Sequence, residues 1–227
     1  MDTYFTSTLF RKTLAALSGL FLVLFLVGHL VGNLQLIFAT GDSGQKQFNE
    51  YALFMMTNPA VKVLSIITYS SIIFHTLLTI YLAIQSKRTR PIKYEVPSGS
   101  ENSSWASRNM PMLGILVLIF IVIHMKSFWY EMHFGFIGDD PSGNKDLYTV
   151  TIVAFKEWWY TIFYVFSMVI LAYHLHHGIS SGFQTIGLKT RKYVNIIQKF
   201  ALAFSIIVPA AFASIPIILF LRSINAG

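Results

Sequence analysis

Apolar residues in this chain fall into five long blocks, and the charges collect between them. The charge-free runs are Thr13–Gly41, Val63–Ser86, Asn109–Met125, Trp158–Leu188 and Phe200–Leu221. A membrane-crossing helix needs about 20 mostly apolar residues. The pattern therefore predicts five such helices, over roughly 13–39, 62–86, 109–131, 157–187 and 199–222. The third run is short, but Phe128, Trp129 and Tyr130 carry it past Lys126 into an aromatic zone of the kind found at membrane interfaces. The first run is longer than a signal-peptide core and lacks a small-residue cleavage site, so it reads as a retained helix. The expected fold is an all-α membrane protein, one domain over residues 1–227, with its five helices in a bundle.

The connections carry their own signals. Lys87–Asn109 contains Pro91, Pro97 and Gly99 among serines and reads as a loop suited to meeting soluble partners. Gly135–Asn144 is a second loop by the same signals, and Gln47–Met56 reads as an amphipathic surface helix ending before Asn58-Pro59. Pro209 and Pro216 fall mid-span in the last helix and predict a kink, because each removes a backbone donor.

Composition agrees with the pattern. The chain is 54% hydrophobic and only 12% charged, against about 25% charged in a typical soluble domain. Its mean hydropathy is +0.58. It has no cysteine, which excludes a thiolate ligand, a covalent c-type haem and an iron–sulfur cluster held by this chain. The net charge of +7 would suggest nucleic acid in a soluble protein, but its placement gives another reading. Arg11 and Lys12, then Lys87, Arg88, Arg90, Lys93 and Arg108, then Lys189, Arg191, Lys192 and Lys199 cluster on alternate connections. The positive-inside rule then predicts a cytoplasmic N-terminus and an external C-terminus; the expected location is a bacterial inner (cytoplasmic) membrane, with no nucleic-acid partner.

Six of the seven histidines lie in the apolar runs: His29, His75, His124, His174, His176 and His177. Ionisable residues inside a membrane are rare and mark functional sites. One isolated case could be a neutral ring bonded to a neighbouring helix; one on each of the first four helices is harder to explain that way. Counted from the preceding charge, His29, His75, His124 and His174 lie 17, 13, 16 and 17 residues into their helices, about 20–26 Å at 1.5 Å per residue. The first and third helices enter from the cytoplasm in this reading, the second and fourth from outside. The histidines thus sort into two layers, His29 with His124 in the outer half and His75 with His174 in the inner half.

Two imidazoles at one depth on facing helices suit bis-histidine ligation of haem iron, with the porphyrin filling the apolar space between helices. Gly28 and Gly32 beside His29, and Gly178 beside His174, offer close backbone approach. Zinc prefers four clustered ligands, and no Cys, Asp or Glu accompanies these rings. A proton relay would recruit buried carboxylates, and none falls mid-span. On the fourth helix, His177 lies 60° from His174 on a 100° wheel and stays a candidate beside it, whereas His176 points 160° away.

A set of segments carries a resemblance. RK ahead of the first helix, GHLVGN at 28–33, FNEYALFMMTNP at 48–59, FHTLLTIYLAI at 74–84, SSWASRN at 103–109, IHMKSFWYE at 123–131 and YHLHHGISSGFQTIG at 173–187 span nearly the whole chain. Together, in order, they resemble the di-haem cytochrome b membrane anchor of succinate:quinone oxidoreductases (succinate dehydrogenase and fumarate reductase), the five-helix single-polypeptide type. The resemblance implies two haems b, with His29 and His124 as axial ligands of the distal one and His75 and His174 of the proximal one. It selects His174 over His177, because Gly178 and Gly187 match the glycines that follow the family's ligand. Two positions depart from the family. Thr79 stands where relatives often have glycine, and Ala172 stands where fumarate-reducing relatives with a transmembrane proton path place a glutamate. The latter counts against that path and against a fumarate reductase.

The function implied is that of a succinate dehydrogenase subunit that does not bind succinate. It would anchor a flavoprotein and an iron–sulfur subunit and pass electrons through two haems to a quinone, expected to be menaquinone. Arg108 and Lys126 are candidates for the haem propionates, and Glu50 and His133 for the quinone. The alternatives are a di-haem anchor of fumarate reductase or of another redox complex, such as a hydrogenase or formate dehydrogenase, and a haem-free transporter or assembly protein.

Overall fold

A computed structural model of the chain describes residues 7–89 and 104–225. The loop signals expected at Pro91, Pro97 and Gly99 lie outside them. The described residues are helical, joined by short connections, and the only strand-like pairing among them is an isolated antiparallel bridge between Asp139 and Lys145.

The elements in order are α1 (Thr8–Phe38), α2 (Gly41–Thr57), α3 (Pro59–Arg88), α4 (Trp105–Arg108), α5 (Met110–His124), a π-helical turn (Met125–Tyr130), α6 (Glu131–Phe134), α7 (Leu147–Lys156), α8 (Trp158–Thr185) and α9 (Val194–Asn225). Five helices are long and apolar enough to cross a membrane: α1, α3, the continuous Met110–Phe134, α8 and α9. Their outward surface agrees with that role. Leu24, Val31, Ile66, Leu77, Val122 and Ile207 are each 60–71% exposed, which suits contact with lipid and would be a liability in water.

Local chemistry sets the helix ends. Ser7 Oγ accepts the Phe10 N–H at 3.1 Å and starts α1 five residues before the apolar run, so Arg11 and Lys12 are helical. Asn58 closes α2 and opens α3, its Oδ1 accepting the N–H groups of Ala60 and Val61 at 2.9 and 3.3 Å. Pro59 then occupies the first helical position, where a missing N–H costs nothing. At the end of α8, Gly187 takes φ +82°, and the Leu188 N–H turns back to Phe183 O at 3.0 Å. The last helix runs unbroken through Pro209 and Pro216.

The chain packs as two compact units, and each long helix gives one segment to each. The first comprises Met1–Phe25, Thr68–Leu116 and Ile170–Ile206. Its described residues include nine Lys and Arg (Arg11, Lys12, Lys87, Arg88, Arg108, Lys189, Arg191, Lys192, Lys199) and no Asp or Glu. Within it Arg11 donates to Tyr81 Oη at 2.5 Å and lies over the Tyr81 ring.

The second unit comprises Leu26–Ile67, Val117–Val169 and Ile207–Gly227 and holds every described Asp and Glu. Buried Asn49 of α2 is its polar centre. The Asn49 amide donates to Asp140 and Asp146 at 3.2 and 2.9 Å, and its carbonyl accepts the Tyr148 N–H at 2.9 Å. Asp146 also caps α7 through the Thr149 N–H. That helix is unanticipated in the sequence, where its run Thr149–Val153 is β-branched throughout. Arg222 of α9 donates to Leu36 O and Ile37 O at 3.4 and 2.8 Å, satisfying the last carbonyls of α1.

Gly32 does not leave space open beside His29; the Tyr51 ring fills it, and a Cβ there would overlap that ring. A Cβ at Gly28 would meet nothing within 4 Å. Gly32→Ala should therefore cost about 1–3 kcal/mol by overpacking, while Gly28→Ala should not lower stability, as thermal melts of the purified protein will show.

Hydrogen bonds from the Asn144 N–H foremost, then from Asn49 and Ser142, hold the Asp140 carboxyl below the ordinary carboxylate range. Burial pushes Asp146 up, but bonds from Thr149, Asn49 and Gln45 outweigh it and leave that group low as well. Depressed folded values mean the stabilisation is complete above the ordinary aspartate pKa of about 3.9 and is lost as pH falls through the lower folded values. Melting temperature should drop below about pH 4, and Asn49→Ala should flatten that acid limb.

Candidate functional site

The four histidines singled out by depth fall two to each unit, His75 and His174 in the first, His29 and His124 in the second. All four are half-buried.

His75 on α3 sits against α1. Its Nδ1 lies 3.0 Å from Ala15 O and 3.2 Å from Ser18 Oγ. A carbonyl oxygen only accepts, so Nδ1 carries the proton and Nε2 keeps its lone pair. Metal-bound histidines show the same arrangement, with the other ring N–H donated to a carbonyl that fixes tautomer and orientation. Gly19 makes the approach possible, since a Cβ there would fall 2.9 Å from His75 Cε1. Thr79 returns its hydroxyl to His75 O at 2.8 Å, so it occupies the helix's own surface. His174 on α8 is close enough to His75 to interact with it electrostatically. Its Nδ1 is buried without a hydrogen-bond partner among the described residues, an arrangement that costs about 1–3 kcal/mol if nothing else satisfies it. A Cβ on Gly114 would come 3.8 Å from His174 Cε1.

In the second unit the His29 and His124 rings are direct neighbours, with centroids 5.7 Å apart and planes at 90°. Two metal–nitrogen bonds of about 2 Å, extended by the imidazole rings themselves, span nearly that distance. His124 Nδ1 lies 3.2 Å from Tyr164 Oη, which lies 3.1 Å from Tyr160 Oη. With Nδ1 protonated, the chain runs His124 to Tyr164 to Tyr160 and again frees Nε2. Phe120, Phe128 and Phe155 surround this chain, and Phe212 faces His29 at 5.7 Å. At His29 the Asn33 amide, donating to His29 O at 2.8 Å, also comes within 3.4 Å of Nδ1. That contact puts a lone pair on Nδ1, so ligation through Nε2 requires the other tautomer and a turned Asn33 amide.

Neither pair alone makes a conventional metal cluster. Among the described residues, no three His, Cys, Asp or Glu side chains group as a metal site. A haem asks for two protein ligands and supplies four nitrogens itself. The free Nε2 of His75, the unpartnered Nδ1 of His174 and the Nε2 of His124 fit that demand as they stand, and His29 fits it in its other tautomer with the Asn33 amide turned.

The remaining candidates are dispersed. Lys126 pairs with Glu131 at 2.6 Å and lies over the Tyr130 ring, so its charge is already engaged. Arg108 ends α4 and is exposed. Glu50 is exposed beside Lys46 at 3.8 Å. His133 is exposed, stacked on Trp129 at 4.6 Å with Nδ1 bonded to Trp129 O, and nothing brings it to Glu50. His176 and His177 both line a cleft with α9.

The sequence reading passed over Ala15, Ser18, Gly19, Gly114, Tyr160 and Tyr164. The small residues of α1, one turn apart on its first half, were the available signal for the His75 seat. Comparison of the chain with protein-family models, curated proteins and solved structures gave no match.

Tyr164→Phe should strand Tyr160 Oη and His124 Nδ1 and cost about 1–3 kcal/mol. Tyr160→Phe, at the end of the chain, should cost less; chemical unfolding of the two variants measures the difference.

Proposed function

We propose that this chain is the membrane-anchor cytochrome b subunit of a succinate dehydrogenase, holding two haems b. The observation that carries the proposal is the pairing of histidines from alternate long helices: the His29 and His124 rings are 5.7 Å apart, and His75, with its Nε2 free, and His174, with its Nδ1 unpartnered, share the first unit and interact electrostatically. The ordered set of segments from GHLVGN to YHLHHGISSGFQTIG supports the same reading.

His29 and His124 would hold one haem and His75 and His174 the other. When bound, the haems supply one-electron carriage between an iron–sulfur partner and a quinone, menaquinone in this reading. The chain's own part is to fix the rings. Ala15 O orients His75, the Tyr164–Tyr160 pair orients His124, and the apolar helices exclude water. The first unit, with nine Lys and Arg and no Asp or Glu among its described residues, would face the cytoplasm by the positive-inside rule, with the flavoprotein and iron–sulfur subunits on that side of a bacterial inner membrane in this reading. Succinate would be oxidised in those subunits and not by this chain.

A reduced-minus-oxidised spectrum of the purified protein should show a b-type α-band, and its absence would end the cytochrome reading. His29→Ala and His124→Ala should remove one haem, and His75→Ala and His174→Ala the other, leaving about half the band each time. His177→Ala should keep both. Loss of the same haem in His29→Ala and His174→Ala would refute the pairing. Copurification of a flavoprotein and an iron–sulfur protein, with succinate oxidation in the assembly, separates a succinate dehydrogenase from other di-haem complexes.

A further inference from the structure

We infer that the cleft between α8 and α9 binds the phosphate headgroup of an anionic phospholipid, a role independent of the haem reading. The cleft encloses about 410 Å³, within the range of small-ligand sites. His176, His177 and Ser180 of α8, Gln198 and Lys199 of α9, and Ser104 at the start of α4 line it, together with two apolar residues of α9.

Each of those six polar side chains can donate a hydrogen bond, and none is a carboxylate. Lys199 brings a full positive charge to the wall. Lys189 donates to Ser180 Oγ at 2.8 Å, which sets a second cation at the rim and leaves the Ser180 proton to point elsewhere. His177 lies within electrostatic reach of both His176 and Lys189. Among its described residues the surrounding unit holds no Asp or Glu, so no described carboxylate neutralises this group. A phosphate, with several acceptor oxygens and at least one negative charge, matches this donor set; a neutral or cationic ligand does not.

The source is a lipid because of what flanks the cleft. Ile196, Phe200 and Leu202 of α9 are 65%, 46% and 49% exposed. They give acyl chains an apolar surface beside the headgroup, and a soluble anion would have no use for it. Basic pockets between membrane helices hold anionic lipid headgroups by this combination of charge and adjoining hydrocarbon.

The test is native mass spectrometry of the full-length protein in neutral detergent, titrated with phosphatidylglycerol, with phosphatidylcholine and with inorganic phosphate. The wild-type protein should retain phosphatidylglycerol in preference to phosphatidylcholine, and millimolar inorganic phosphate should not displace it. Lys199→Gln should weaken retention roughly fivefold, the effect of about one unit charge at a bilayer surface. Lys199→Arg should restore it, and Lys46→Gln in the other unit should leave it unchanged. Equal retention by wild type and Lys199→Gln would overturn the inference, as would equal retention of phosphatidylcholine. Complete displacement by inorganic phosphate would assign the cleft to a free anion and overturn the lipid assignment.

Discussion

The hydrocarbon core of a bilayer contains no water, so each polar atom on a crossing helix must find its partner in protein. Most polar side chains here meet that demand locally. Thr13, Ser18, Thr79, Ser167, Ser205 and Ser214 return their hydroxyls to carbonyls three or four residues back. Imidazole cannot be silenced that way at both nitrogens. His75 therefore reaches Ala15 O on α1 and His124 reaches Tyr164 on α8, and these bonds tie helices that are far apart in sequence. The same requirement that fastens the helices leaves a second nitrogen on each ring open to chemistry, and at His174 it leaves Nδ1 with no hydrogen-bond partner among the described residues.

The two units are held by different means. One has the Asn49 centre with its two aspartates, the Arg222 cap on α1 and a cluster of aromatic rings about Tyr164. The other has one strong cation–tyrosine contact, small-residue approaches at Gly19 and Gly182, and nine Lys and Arg with no Asp or Glu among its described residues. The Asn49 network, by contrast, is closed upon itself.

The five long helices were legible in the sequence because span length is a property of composition, and a run of about 20 apolar residues has few other uses. Their ends were less legible. Ser7 and Asn58 are single capping side chains, and Arg11 and Lys12 are tolerated inside α1 because long cationic side chains can reach the interface from within a helix. Counting residues from flanking charges sorted the histidines by depth, but depth says nothing about tautomer. The seat of His75 depends on a backbone carbonyl, which no side-chain pattern reveals. The glycines illustrate the same limit: Gly32 looks like Gly28 in sequence, yet only one of them has a tyrosine ring pressed against it. The cleft beside His176 and His177 likewise came from a helix pairing that a wheel of α8 alone does not contain.

The π-helical turn Met125–Tyr130 begins directly after His124. A turn of this kind slips one extra residue into the winding, so the azimuth of every side chain beyond it falls behind by about 100° relative to a wheel drawn from Met110. Glu131 and His133 thus belong to a different angular frame from Leu113 and Phe120. Spin labels, crosslinkers or scanning substitutions laid out along this helix need two phase conventions, one on each side of the turn, before their pattern can be read as a face.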